Sequence, residues 1–543
     1  MSRKIFRFAV IMLLLLVVLG GRLGWVSLIE SDNLSEKALS QSTRTLDYYQ
    51  YARGDFLDTY GRKITNNEAT CCIIFPVMLT DTHEAAISLS QICDLPEKKL
   101  RSRLAQAQKE RRAPFCLIAN LSSAEAVAIE EVDLPGVFTV VMAPRYPKSG
   151  GAAHLLGFVA EGEIPHVYAG KSGLEKQYDS YLTGRLSPQV AIMVDDQGRE
   201  ILGRGFRLLN PKGHDTSANV KLTLNADYQL KVEEAMLDTS GAAVILDVNS
   251  GDILALCSTP FMDPYMLEEP INDDVFINKA FASYPPASTF KIVVTAAALA
   301  EGLETPTNFN CQGSYLLPHG QIMNCWLEKG HGLQNIDQAL ANSCNPYFAA
   351  LGLQVGGDNL KKYGELLGLS EQKILGYETA DTIHIDFNSA VAGDVVNASI
   401  GEKGIRVSPL MIARLLAVCG NKGKLVTPRL VKQVIHSDGK VLETVSTLPP
   451  QQVIEAQHAE KIKKMLRLAV VEGTAQNAAA TLVETAAKTG TSQHQGVWFA
   501  GLVPADEPRW SIVIYLENAT AGGQEGAAVF TEIVNELAIL DNL

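Results

Sequence analysis

The sequence predicts an α+β chain: a membrane anchor at the N-terminus, an extended mixed domain, and a larger domain in which helices flank a sheet. Three observations carry this. Arg3, Lys4 and Arg7 precede an uncharged apolar run. Strand-like segments bracket a helical middle in the second half of the chain, which means α+β layers rather than a βαβ array. Finally, 47% of the 543 residues are apolar, ample for packed cores, and roughly 150 residues per domain allows two to four domains.

The N-terminal run extends from Phe8 to Gly21, and apolar character resumes from Leu23 to Ile29. Together they reach the about 20 residues that a bilayer span needs. Arg22 falls near the outer end, where it can snorkel to the headgroups. A cleaved signal peptide is the alternative, but no small-x-small site follows the run. The basic start places the N-terminus in the cytoplasm and the chain after Glu30 outside. Residues 1–30 are therefore read as tip and anchor, 31–215 as an extracytoplasmic mixed domain, and 216–543 as the larger domain.

In the mixed domain, Glu97 to Arg112 reads as a charged helix with a solvated face. Asn210 to Asn219 is rich in turn formers and reads as a linker. Beyond it, VKLTLN alternates as a strand and Asp227 to Leu237 has helical period. GAAVILDV and DILALCS form a strand hairpin joined at Asn249–Gly251. Helices are predicted over Ser288 to Ala300, Ile336 to Ala341, Pro346 to Gln354, Pro409 to Val418 and Ala456 to Val471. Strands follow at Glu484–Thr491, Val497–Val503 and Trp510–Leu516, then a helix from Ala527 to Leu540.

Charge narrows the function. With 47 Lys+Arg against 60 Asp+Glu and a net of −13, the chain lacks the basic excess that phosphate contacts need, which argues against nucleic acid as partner. Nine cysteines are too few for a disulfide scaffold, and no CxxC metal or redox pair occurs among them.

Three short motifs carry chemistry. In YPPASTFK, Tyr284 to Lys291, the prolines stop any preceding helix, and residues three apart then share one helical face. Ser288 and Lys291 would stand side by side. A serine hydroxyl attacks only when a base takes its proton, and a lysine serves once burial or a nearby cation disfavours its ammonium. Ser343-Cys344-Asn345 lies between two helical stretches. Its hydroxyl can pass protons, and its amide can hold a substrate carbonyl while bonding to a lysine. Lys488-Thr489-Gly490-Thr491 lies on a predicted strand. Lys488 would supply the second cation, Gly490 would allow close backbone approach, and Thr489 and Thr491 suit a terminal carboxylate. The backbone N–H groups of Ser288 and Thr491 would form an oxyanion hole.

This set, in this order, resembles that of the class B penicillin-binding proteins, monofunctional peptidoglycan D,D-transpeptidases with a β-lactamase-like catalytic domain. ARGDFLDTYGRKITNN (Ala52 to Asn67), the stretches Arg145 to Val159 and Gly170 to Arg185, and NCWLEKGHG, VSPLMIARL and VVEGTA resemble further boxes of that family. Ala287 replaces a common glycine, tolerable if its φ is negative. Thr59 replaces a usual arginine, and GEKG at Gly401 to Gly404 a common GQG.

The resemblance implies acyl transfer on peptidoglycan stem peptides. Ser288 would attack with Lys291 as base, Ser343 would relay a proton, and Asn345 and Lys488–Thr491 would orient the peptide. β-Lactams would acylate Ser288. A SEDS-type membrane glycan polymerase is implied as partner, since no polymerising domain precedes residue 218. About fifty residues follow Thr491, so no appended C-terminal module is expected. The alternatives are a D,D-carboxypeptidase or β-lactamase of the same fold, a β-lactam sensor, or a non-catalytic scaffold of the wall machinery.

No cofactor and no metal cluster is read from the cysteine and histidine spacing. His331 is expected to be structural or at the substrate edge, and Cys344 a packed residue. A disulfide between Cys311 and Cys325 is chemically permitted outside the membrane and stays open. Trp498 and Phe499 are expected to pack the sheet.

Overall fold

The computed structural model describes residues 3–28, 43–47, 53–110, 114–147, 152–161, 168–184, 189–193, 206–209, 217–265, 276–318, 320, 322–380, 383–492 and 496–543. Most of the predicted linker, residues 210–216, and the end of the predicted charged helix, residues 111–113, lie outside them. The chain divides into two compact units interleaved in sequence. One takes Met1–Ala52, Thr70–Val140 and Arg185–His214, and the other Arg53–Ala69, Val141–Gly184 and Asp215–Leu543.

The first unit begins with a helix, Arg3–Leu28, whose segment Phe6–Val26 is long and apolar enough to cross a bilayer. Strands Thr43–Asp47, Gln189–Met193 and Phe206–Leu209 form an antiparallel sheet in that order. A second sheet centres on Ala69–Ile74, with the buried Cys71 and Cys72 in it. Helices Thr82–Cys93, Glu97–Lys109 and Ser123–Val132 accompany it. Asp81 caps the first of these by accepting from the His83 and Glu84 amides, and Ser122 with Glu125 forms a capping box on the third.

In the second unit the elements that position the site are, in chain order, α1 (Ala226–Met236), β1 (Gly241–Asp247), β2 (Ile253–Thr259), α2 (Lys291–Ala300), α3 (Asn345–Val355), α4 (Pro409–Gly420), α5 (Ala456–Val471), β3 (Ala486–Thr491), β4 (Val497–Val503), β5 (Trp510–Leu516) and α6 (Ala527–Leu540). The five strands form one antiparallel sheet ordered β2-β1-β5-β4-β3. Strands from both ends of residues 216–543 thus share a sheet around a helical middle, as the α+β reading expects. The β1–β2 turn closes because the Asp247 carboxylate accepts from the Asn249 and Ser250 amides and Gly251 takes φ +77°.

Both sheet faces are covered, which is why the strands read as mostly apolar runs. Side chains alternate along a strand. Ala242, Val244, Leu246, Trp498, Ala500 and Tyr515 face the cluster that holds α2, α3 and α4. Ala243, Ile245, Phe499, Ile512 and Ile514 face α1 and α6. Trp498 and Phe499 are fully buried, so both pack the sheet.

Three sequence boxes from the first two hundred residues meet in this second unit around one buried acid. Glu175, with no exposed surface, is gripped by Arg53 at 2.9 Å and by Arg145 at 2.6 Å. Arg145 also donates to the Gly54 carbonyl at 2.7 Å. Phe56–Leu57 then pairs in parallel with Ala218–Leu222, joining the start of the ARGDF box to the larger body. A carboxylate buried without these cations would be strongly disfavoured, so the arginines set where the boxes close.

Candidate active site

The serine turn departs from the helix expected over Ser288 to Ala300. Ala287–Phe290 is a 3₁₀ turn, and α2 starts only at Lys291. A 3₁₀ turn eclipses residues i and i+3, which sets Ser288 directly beside Lys291, Oγ to Nζ 3.0 Å. Ala287 has φ +47°, so the condition under which alanine would replace the glycine without strain is not met. Tertiary contacts impose the left-handed conformation: the Ala287 amide donates to the Gly401 carbonyl at 3.0 Å, and Trp498 Nε1 donates to the Pro285 carbonyl at 2.9 Å. The turn is held from both sides. Strain of this kind, of order 1–3 kcal/mol per residue, persists only where the surroundings over-determine it.

Ser343 also has a positive φ, +53°, between the short helix Ile336–Ala341 and α3. This kink delivers three acceptors to one amine. Lys291 Nζ lies 2.8 Å from the Ser343 carbonyl, 3.3 Å from Ser343 Oγ and 2.6 Å from Asn345 Oδ1. Lys488 Nζ reaches Ser343 Oγ at 2.9 Å and the Thr489 carbonyl at 2.7 Å. The Ser343 hydroxyl therefore bridges the two lysines.

Both lysines are fully buried. Burial pushes Lys291 down to about 8. Lys488 is lowered well below the ordinary lysine range, first by burial and second by the nearby Lys291 charge. Desolvation rather than the Lys488 cation thus dominates at Lys291. The carbonyl oxygens of Ser343 and Asn345 can only accept, so they take two N–H bonds of the Lys291 amine. In the neutral form the remaining lone pair is left for a hydroxyl proton.

β3 is the sheet edge that borders this group. Lys488 and Gly490 share the sheet face of Ala486, toward the serine turn. A Cβ on Gly490 would lie 3.2 Å from the Trp498 Cβ and 3.4 Å from the Pro286 carbonyl oxygen. The glycine lets the strand approach the serine turn itself, a tighter constraint than the ligand approach expected for it. Thr489 is buried, its hydroxyl 2.7 Å from that of Thr474 in the VVEGTA box. Thr491 is exposed and lines a cavity of about 710 Å³ with Tyr284, Arg406, Ser492 and Glu517. Ser288, Lys291, Ser343, Asn345 and Lys488 come together, Thr491 opens to the adjoining cavity, and Thr489 turns toward Thr474.

Spacing along the chain missed several residues here. Gly401 and Thr474 lie 113 residues after and 186 residues after Ser288, so no local pattern links them to it. Nor did spacing disclose that Cys311, Cys325, His331 and Cys344 bring their donor atoms within 4.8 Å of one another. The reading that no metal-ligand cluster exists is corrected: two short hairpins, absent from the sequence reading, fold the intervals together. All three cysteines are free thiols, so the Cys311–Cys325 disulfide is not formed.

The penicillin binding protein transpeptidase domain model matches residues 241–537, and the penicillin-binding protein dimerisation domain model matches residues 49–214. Stage V sporulation protein D of Bacillus subtilis is 28% identical over 96% of this chain and 82% of that protein. Peptidoglycan D,D-transpeptidase MrdA of Acinetobacter baumannii is 26% identical over 96% of this chain and 86% of that protein. Among solved structures, a penicillin-binding protein (PBP2) from Helicobacter pylori superposes with a TM-score of 0.65 at 18% identity, covering 92% of this chain and 100% of that one.

Proposed function

The chain belongs to the penicillin-binding protein transpeptidase family, and from that premise we propose that it cross-links peptidoglycan stem peptides as a serine D-Ala-D-Ala transpeptidase. The observation that carries the reading is the buried Lys291 amine, 3.0 Å from Ser288 Oγ and already bonded to two obligate acceptors.

Lys291 takes the Ser288 proton as Oγ attacks the carbonyl of the penultimate D-alanine. The oxyanion is bound by the Ser288 and Thr491 N–H groups. The Ser288 amide lies in the first helical turn, where intrahelical acceptors are lacking. Ser343, bridging Lys291 and Lys488, passes a proton to the departing D-alanine amine. Asn345 and β3 orient the peptide, and Thr491 at the cavity meets its terminal carboxylate. The amine of a second stem peptide then attacks the ester, forming the cross-link and returning the proton to Ser288. β-Lactams enter the same path and stop at the ester.

Residues 216–543 act as the transpeptidase domain and 31–215 as the pedestal, with Arg53–Ala69 and Val141–Gly184 belonging to the larger compact unit. The apolar N-terminal helix serves as a single-pass anchor in the cell membrane. Arg3, Lys4 and Arg7 hold its start in the cytoplasm and leave the catalytic domain outside, where a SEDS-type glycan polymerase supplies strands.

Mass spectrometry after penicillin treatment tests the reading. The expected result is one adduct on Ser288, abolished in Lys291→Ala. An adduct elsewhere, or near-normal acylation in Lys291→Ala, overturns it. Release of free acid rather than cross-linked dimer from stem peptides would point to a carboxypeptidase instead.

A further inference from the structure

The acyl-transfer reading uses the cavity of about 710 Å³ only at Thr491. Its other walls carry charges of both signs around an aromatic face. Tyr284 and Tyr515 stack there with ring centroids 4.0 Å apart. Burial, then the neighbouring Tyr284, pushes the pKa of the Tyr515 hydroxyl up; Glu517 adds to that shift and Arg406 opposes it. The two charges thus act on one wall.

The fold holds each charge in place. Tyr284 and Val407 exchange both backbone hydrogen bonds at 2.9 Å, which ties the strand Ile405–Arg406 to the segment leading into the serine turn. Arg406 Nη2 donates to the Ser283 carbonyl at 2.6 Å. Glu517 follows β5, and its amide donates to the Ser240 carbonyl at 2.8 Å. Its Oε2 accepts from Ser240 Oγ at 2.8 Å and from Lys279 Nζ. Lys279 is buried and also donates to the Thr259 carbonyl at 2.9 Å. Glu517 Oε1 has no hydrogen-bond partner among the described residues. Lys279 offsets part of the Glu517 charge, so the cavity suits a carboxylate at Arg406 together with a donor at Oε1, rather than a lone cation. Side chains fixed in advance lose little freedom when a ligand arrives.

From this arrangement we infer that the cavity is the subsite for the residue preceding the D-alanine pair of the donor peptide, and that it selects a side chain ending in an amino-acid head, a carboxylate and an ammonium on one carbon. Arg406 takes the carboxylate, Glu517 Oε1 the ammonium, and the stacked tyrosines the methylenes that lead to them. A donor added antiparallel to the β3 edge, with its reacting carbonyl at the Thr491 N–H, carries its preceding residue past Thr491 into this space. The selected residue is a diamino diacid; a plain diamine such as lysine offers Arg406 nothing. Arg406 and Glu517 are specificity residues, and Lys279 is a positioning residue for Glu517. The assignment rests on the transferase reading above and names the donor that site accepts.

The test uses the full chain purified in detergent and penicillins that differ only in the side chain. The α-aminoadipyl penicillin carries carboxylate and ammonium on one carbon, the adipyl penicillin the carboxylate alone, and the 6-aminohexanoyl penicillin the ammonium alone. Second-order acylation rates are read by mass spectrometry of the Ser288 adduct, each relative to benzylpenicillin on the same chain. The aminoadipyl compound is expected to react about tenfold faster than either partner, the scale of one charge-assisted hydrogen bond. Arg406→Ala should bring its relative rate down to that of the aminohexanoyl compound, and Glu517→Gln to that of the adipyl compound. Lys279→Met should weaken the preference and Lys279→Arg restore it, which a merely structural role for Lys279 would not do. If a variant fails to fold, the series on the unmutated chain still decides. Equal rates for the three compounds there overturn the subsite and leave the transferase reading standing, as does a preference that survives in both Arg406→Ala and Glu517→Gln. A chain that none of the penicillins acylates overturns the transferase reading, and the subsite with it.

Discussion

Gly401→Ala is the sharpest probe of how the serine turn is held. Gly401 has φ +77°, and its carbonyl accepts from the Ala287 amide at 3.0 Å. A Cβ there would fall 2.0 Å from the Ala287 carbonyl oxygen, 2.7 Å from its carbon and 2.9 Å from its nitrogen. All three are backbone atoms, so no side chain can swing aside. Either the Gly401 loop or the Ala287–Ser288 turn must shift by more than about 1 Å. The left-handed conformation adds about 1–2 kcal/mol for a non-glycine residue, and relieving the overlap about 1–3 kcal/mol more, together about 2–5 kcal/mol. A 1 Å displacement of a reacting atom lowers a rate by about 100-fold. The assay is the second-order acylation rate with a fluorescent penicillin, alongside a thermal melt. Gly439→Ala is the control: it also has positive φ, +91°, but nothing lies within 4 Å of its Cβ. It should cost about 1–2 kcal/mol and leave acylation unchanged. A Gly401→Ala chain that acylates within about threefold of the parent would refute the claim that this contact sets the nucleophile's position.

Two further outcomes follow from buried charge. With Lys291 lowered to about 8 by burial, only its neutral form can accept the Ser288 proton. Acylation should therefore climb with pH, about tenfold between pH 6 and 7, and level off above about 8. A profile flat or falling across that range, read by stopped-flow, would remove Lys291 as the base. Glu175→Gln strips the negative charge between Arg53 and Arg145, taking from the buried Arg145 the carboxylate it pairs with, while Arg53 keeps Asp179 at 2.8 Å. It should destabilise the unit by about 3–5 kcal/mol, and an unchanged melting temperature would show the cluster to be dispensable.

The parts of the site legible in the sequence are those set by neighbouring residues. S-x-x-K reads correctly because three residues make one turn, whether α or 3₁₀. The central strands read correctly because burial on both faces leaves few polar residues in them. The helix boundary at Ser288 did not, since the 3₁₀ turn and the left-handed Ala287 come from contacts with Gly401 and Trp498. The role first given to Gly490 had the same blind spot: what meets that glycine is Pro286 and Trp498, distant in the chain.

Sequence alone was enough for the α+β order of elements, for an apolar N-terminal segment long enough to span a bilayer, and for naming the serine, the lysines and their accompanying motifs as candidates. That holds because periodicity, turn chemistry and motif spacing act over a few residues. Only the tertiary structure decided that Lys488 meets Ser343 across 145 positions, that both amines lose their water, and that three thiols and an imidazole converge behind Cys344. Those outcomes depend on which distant segments pack together, and burial and donor geometry exist only once they have.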